Sequence, residues 1–300
     1  MTRHLEVEHV TTYHYAKPVR FGQHRVMFRP RTGNDIRLLD ARIDVNVPSQ
    51  VDWVLDTYSN SVTLVQPQQH AAELQIRCRI RIEHDGVRGV TELPLAPHAQ
   101  RWPFDYTADE RRDLGSLLER HYPDPKGRLF EWCRPFLAPT VRPDTRELLM
   151  SIASTIKAEF SYETRDAEGT QTPDETLQRG AGTCRDFALL MMEVVRRLGM
   201  AARFVSGYLY DPALDQGEGL TADTVLSGAG ATHAWLHVYL PGAGWAPFDP
   251  TNALFGGSSL IRVAYARDPG LAEPVVGSWF GEAEAFKEMK VHVGVRSIPA

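Results

Sequence analysis

The sequence predicts an all-β, sandwich-like domain followed by an α+β domain in which helices pack on an antiparallel sheet. Three observations predict it. Residues 4–92 carry runs in which apolar and polar side chains alternate, with turn residues between them. A segment with three prolines, residues 93–103, interrupts that pattern. Beyond it the apolar period becomes helical, and alternating runs return only after residue 202. Strict alternation places one row of side chains in a core and the other in water, as in antiparallel sheets. Helices followed by strands read as α+β. The expected domains are 1–95 and 96–300.

In the first domain, residues 42–47 read Arg-Ile-Asp-Val-Asn-Val and residues 74–82 read Leu-Gln-Ile-Arg-Cys-Arg-Ile-Arg-Ile. Cys78 shares its face with Leu74, Ile76, Ile80 and Ile82, so it is expected to fill a core. Turn residues cluster at 30–34, 48–50 and 59–61. The proline segment reads as a linker. Thr107-Ala-Asp-Glu110 has capping-box spacing and opens a helix toward His121. Further helices are expected over 144–159 and 183–199, the latter stopped by Gly199. Strands follow at 202–210, 233–240 and 245–248, and residues 290–295 alternate again. Residues 211–231 are glycine-rich and polar, an expected mobile loop whose place before His233 suits a lid.

Composition narrows the function classes. Apolar residues make up 43% and charged residues 24%, ordinary for a globular chain. A net charge of −5 gives no general affinity for nucleic acid. No apolar run approaches the roughly 18 residues of a membrane span. The N-terminus has no apolar signal core, so secretory export is not expected. The three cysteines, Cys78, Cys133 and Cys184, are far apart and form no CxxC pair. That count argues against a disulfide scaffold and fits a reducing cytoplasm. The sequence sets no oligomeric state.

Three segments carry chemistry. In Gly180-Ala-Gly-Thr-Cys184, glycines lead to a cysteine at the start of an amphipathic helix. A thiol in the first turn meets unpaired N–H groups and the positive end of the helix dipole, which favour thiolate. Asp186, three residues after Thr183, is placed to cap that helix. His233 opens a strand whose other face, Ala234, Leu236, Val238 and Leu240, is apolar; a histidine there suits a general base. Asp249, in Gly244-Trp-Ala-Pro-Phe-Asp249-Pro-Thr-Asn252, falls on the hairpin partner strand. It can reach the far imidazole nitrogen and fix its tautomer, or it can simply shape the Asp-Pro turn. Nucleophile, base and orienting acid in order make a thiol-catalysis layout. No cofactor and no metal are expected. His233 and His237 lie about 13 Å apart along a strand, too far to share a zinc.

Gly-Thr-Cys184-Arg-Asp-Phe-Ala, Thr232-His-Ala-Trp235 and the Gly244–Asn252 segment together resemble the transglutaminase-like superfamily, in its bacterial cysteine-peptidase branch. Tyr13-His-Tyr15, Phe28-Arg-Pro-Arg31 and residues 53–60 resemble the β-rich domain that precedes the core in that branch. Residues 267–281 echo a further segment of the family. The resemblance implies a papain-like, transglutaminase-like catalytic core with Cys184 as nucleophile, His233 as base and Asp249 as orienting acid. It implies a thioester formed from a peptide or protein amide and resolved by water or by an amine. The sequence departs from the branch at Arg185, often glutamine there, and at His237, commonly acidic there. Tyr162 is a candidate side-chain donor to the oxyanion, beside the Cys184 N–H. Trp235 and Trp245 are candidate walls of the acyl site, with simple packing the more expected role of each. The expected activity is cysteine-dependent amide cleavage. The alternatives are amine acyl transfer by the same triad and a non-catalytic binding module.

Overall fold

A computed structural model describes residues 2–85, 92–137, 140–164, 169–216, 226–257 and 259–299. Six strands come first: β1 (Arg3–Phe21), β2 (His24–Val26), β3 (Ile36–Val45), β4 (Ser49–Leu55), β5 (Ser61–Pro67) and β6 (Ala71–His84). The alternation in β6 is realised directly. Leu74, Ile76, Cys78, Ile80 and Ile82 are buried, while Arg79 and Arg81 face water. Burial of Leu74, Ile76, Ile80 and Ile82 in the core stabilises this unit by about 1.5–3 kcal/mol per side chain.

The middle of the chain is helical: α1 (Ala108–Leu114), α2 (Arg128–Leu137), α3 (Thr145–Glu159), α4 (Pro173–Arg179) and α5 (Cys184–Arg197). Two short strands, β7 (Ser161–Tyr162) and β8 (Ala181–Gly182), pair in parallel beside them. The Thr107–Glu110 box caps α1, which ends at Gly115, short of His121. Asp144 caps α3. Helices α2 and α4 are not foreseen from the sequence. Helix α2 contains Pro135, and α4 has only seven residues, so neither offers a long apolar period.

The remaining strands are β9 (Ala202–Leu209), β10 (Thr232–Leu240), β11 (Gly244–Asp249), β12 (Leu254–Phe255), β13 (Leu260–Ala266), β14 (Val275–Val276), β15 (Trp279–Phe280) and β16 (Phe286–Ser297). One antiparallel sheet runs β12-β11-β10-β9-β13. Helix α5 packs on it, and α5 is buried on nearly every side, as a helix at the centre of a domain must be. Its buried charges Glu193 and Arg196 are matched: Glu193 Oε1 accepts from Arg196 Nη1 at 2.9 Å, and Arg196 Nη2 also donates to the Arg267 carbonyl at 2.8 Å. Asp268, next in that C-terminal segment, accepts from the Tyr122 hydroxyl at 2.7 Å.

The tail differs from expectation. Strand β16 pairs along β1 from Leu5↔Ser297 to Tyr15↔Phe286, β15 pairs the end of β1, and β14 pairs β2. Residues 275–297 thus complete the two sheets of the first unit: β15 and β16 on β1-β6-β3, and β14 on β2-β5-β4. The alternation of residues 290–295 reports a strand but cannot name its partner. The two units also interlock. Asn60, 1% exposed, donates to the Tyr265 carbonyl at 2.7 Å and accepts from the Tyr265 N–H at 2.9 Å. It satisfies the open edge of β13 as a neighbouring strand would. In the segment expected to be a loop, residues 212–216 form a 3-10 turn, and Asp211 Oδ2 accepts from Leu226 N at 2.8 Å. Residues 217–225 lie outside the described residues.

Candidate active site

Gly180 ends α4 with φ +65°, a left-handed turn open to glycine. The β7–β8 ladder then sets Tyr162 beside Gly182. A side chain at position 182 would press on Asp186 Cβ at 3.0 Å. The chain therefore passes tight against α5, and Cys184 enters its first turn after the N-cap Thr183. Asp186 caps this turn, as its spacing predicts. Its Oδ2 accepts from Thr183 N at 2.8 Å and Oγ1 at 2.9 Å, while Oδ1 accepts from Gln171 N at 2.7 Å.

Strands β10 and β11 are in antiparallel register at Leu236↔Phe248. That pairing brings His233 Nε2 to 2.9 Å from Asp249 Oδ2, with both side chains fully buried. Asp249 also accepts from Thr251 N at 2.9 Å and from Asn252 Nδ2 at 2.8 Å. So it shapes its turn and orients the imidazole at once. Burial pushes His233 toward neutrality, but the charge and hydrogen bond of Asp249, with Cys184, override it and raise its pKa. Burial likewise opposes the Asp249 carboxylate, but His233, Asn252 and the Thr251 N–H lower its pKa.

With Nε2 committed to Asp249, Nδ1 is the nitrogen left over. It is buried and makes no hydrogen bond among the described residues. Cys184, 8% exposed, lies close enough to act on the same ring. Gly228, with φ +90°, closes against Nδ1: an added Cβ would sit 2.6 Å from it. Asn252 ties that turn down. Its Oδ1 accepts from Ser227 N at 3.0 Å, and its Nδ2 donates to the Ser227 carbonyl at 3.2 Å. Sequence reasoning assigns no role to Asn252 or Gly228. The available signal was the Asp249-Pro-Thr-Asn252 turn, whose last residue has the donors and acceptor such a bridge needs.

Tyr162 is brought to the thiol. Burial, then Cys184 and Asp249, raise its pKa, which keeps the phenol protonated and able to donate. Of the two tryptophans, Trp235 lies beside the base and Trp245 does not. Trp235 is 1% exposed; its ring stacks on His233 at 6.0 Å between centroids and packs with Val205, Leu209 and Leu260. Trp245 pairs with Tyr239, at the far end of β10 from His233. Trp235 is packed into this face of β10, whereas Trp245, on β11, is half-buried.

Comparison with known proteins agrees with this architecture. Residues 137–250 match the transglutaminase-like superfamily, and residues 5–83 match the bacterial transglutaminase-like N-terminal region. An uncharacterized protein of Mycobacterium tuberculosis is 28% identical over 295 residues, covering 94% of this chain and 90% of its own. An uncharacterized protein of Mycobacterium leprae is 32% identical over 119 residues, covering 40% of this chain and 39% of its own. The crystal structure of a candidate cysteine protease from Cytophaga hutchinsonii shares the fold, with a TM-score of 0.69 at 17% identity over 100% of this chain and 92% of that one. Residues 137–250 belong to the transglutaminase-like superfamily, and residues 5–83 to the N-terminal region of its bacterial members.

Proposed function

We propose that this protein cleaves an amide bond, in a peptide or an isopeptide, through a thioester on Cys184. The observation that carries the reading is the buried His233 Nε2–Asp249 Oδ2 bond at 2.9 Å, which leaves Nδ1 for the thiol. In this reading Nδ1 takes the thiol proton, and the sulfur attacks the carbonyl carbon. The Tyr162 hydroxyl and the Cys184 N–H donate to the oxyanion. The imidazolium returns its proton to the departing nitrogen as the C–N bond breaks. Water, deprotonated by His233, then attacks the thioester and releases the acid. Asp249 keeps one tautomer and supports the cation throughout. The free, buried thiols suit a reducing compartment, so we place the protein in the cytoplasm.

One observation favours a second outcome. Cys184 is 8% exposed and His233 1% exposed, so the reacting atoms are shielded from bulk water. Shielding of this kind prolongs a thioester and lets an amine resolve it, which is acyl transfer. The test is a screen of amide-bearing peptides with and without a primary amine, read by mass spectrometry. Hydrolysis gives the acid; transfer gives the amine adduct. Cys184→Ala should lower either product by on the order of a thousandfold or more while the thermal midpoint stays near wild type. Product formation at the wild-type rate in that variant would overturn the assignment.

A further inference from the structure

A cavity of about 290 Å³ opens where the first unit meets the sheet of the second. Arg203, Trp235, His237, Trp245, Arg262 and Tyr265 line it, opposite Asp35. Its charges do not balance. Arg262 donates to both Asp35 oxygens and, at 2.9 Å, to the Arg31 carbonyl, so Asp35 is occupied. Arg203 has no carboxylate in ion-pair range among the described residues. Its Nη2 donates to His237 Nδ1 at 3.3 Å, and its Nε–H is buried without a partner. The guanidinium is fixed all the same, stacked on Tyr265 at 3.7 Å and on Trp245 at 4.2 Å.

The other free groups here are also donors. A guanidinium cannot accept, so His237 Nδ1 is the acceptor and its proton sits on Nε2. Trp235 Nε1–H is buried and unpartnered. A buried cation and buried N–H groups without acceptors are costly unless something supplies them. What would satisfy all of them is an oxyanion. The aromatic walls favour one carried on an organic group over an inorganic ion. We propose that this cavity is a binding site for a small organic carboxylate, held by Arg203 and Trp235 and separate from the Cys184 thiol. The planar fork of arginine matches a carboxylate edge, and the rings that hold the guanidinium would flank the rest of the ligand.

The test is calorimetric titration of the full chain with benzoate, benzamide and inorganic phosphate. Benzoate should bind at least tenfold more tightly than benzamide, which has the same shape without the charge, and more tightly than phosphate. Arg203→Met should lower benzoate affinity at least tenfold. Trp235→Phe, which keeps a ring and removes the N–H, should lower it severalfold. Cys184→Ala should leave it unchanged. Equal binding of benzoate and benzamide, or no benzoate binding at millimolar concentration, overturns the proposal. Tighter binding of phosphate makes this an inorganic-anion site and overturns it too. Loss of benzoate binding in Cys184→Ala would place the ligand at the thiol. If Arg203→Met fails to fold, the three wild-type titrations and Trp235→Phe still decide.

Discussion

Strand β10 carries histidine at two positions whose surroundings push it in opposite directions. His233 and His237 share one face of one strand, and both are buried. At His233 Asp249 meets the ring, and the imidazole is pushed toward the cation. At His237 burial is joined by the positive charges of Arg203 and Arg262, and the imidazole is held toward the neutral form. Burial alone favours neutrality at both, so the neighbour decides. A site for proton transfer and a site rich in donors thus stand on one strand, with Trp235 between them.

Asp249→Asn breaks the comparison most severely, since it leaves His233 buried with no carboxylate, as His237 is. Turnover should fall by on the order of 10²–10⁴-fold. The pH dependence of stability should change as well. His233 is raised above its ordinary 6.5, so its contribution is full below that pH and is lost as pH rises through the raised value. Asp249 is lowered below 3.8, so its contribution is present above that pH and is lost as pH falls through the lowered value. The wild-type advantage over Asp249→Asn in thermal midpoint should therefore peak between 3.8 and 6.5. A difference independent of pH would mean that the pair is not ionic.

Gly228→Ala comes next. The new methyl would meet His233 Nδ1 at 2.6 Å, on a backbone with φ +90°. We expect turnover to drop by tenfold or more while the thermal midpoint moves by only a few degrees. Unchanged kinetics would remove this turn from the site. Asn252→Ala should loosen the same turn and Asp249 together. It should cost about 1–3 kcal/mol of stability, measured by urea unfolding, with a smaller loss of turnover. Near-wild-type stability would show that the Asn252 bridge contributes little.

The smallest effect sharpens the rule with a third buried histidine. His9 Nδ1 meets the Tyr208 hydroxyl at 3.0 Å and Nε2 meets the Thr11 hydroxyl at 3.1 Å, with no charged partner among these bonds. Burial lowers its pKa to about 4. Its contribution to stability is thus full above 6.5 and is lost as pH falls toward 4. His9→Gln should flatten that part of the wild-type curve. An unchanged acid limb would show that His9 does not titrate there.

What the sequence discloses here follows from how local each cause is. The alternation of β6, the Thr107–Glu110 and Thr183–Asp186 caps and the hairpin between β10 and β11 are set within a few residues, so they read directly. The partner of β16 is not local, because its exposed alternating residues would suit any open edge. The bridge from Asn252 to Ser227 and the stacking of Arg203 between Trp245 and Tyr265 depend on loops and strands meeting after folding. For the same reason the packing of Trp235 against Val205, Leu209 and Leu260 cannot be read from its strand alone.

The most direct test of the site is iodoacetamide labelling of Cys184 across pH, followed by peptide mass spectrometry, in wild type and His233→Ala. Cys184 should label rapidly near neutral pH, faster than buried Cys78 and Cys133, and His233→Ala should slow it by tenfold or more. Labelling of Cys184 as slow as that of Cys133, or unaffected by His233→Ala, would contradict a thiol activated by this imidazole.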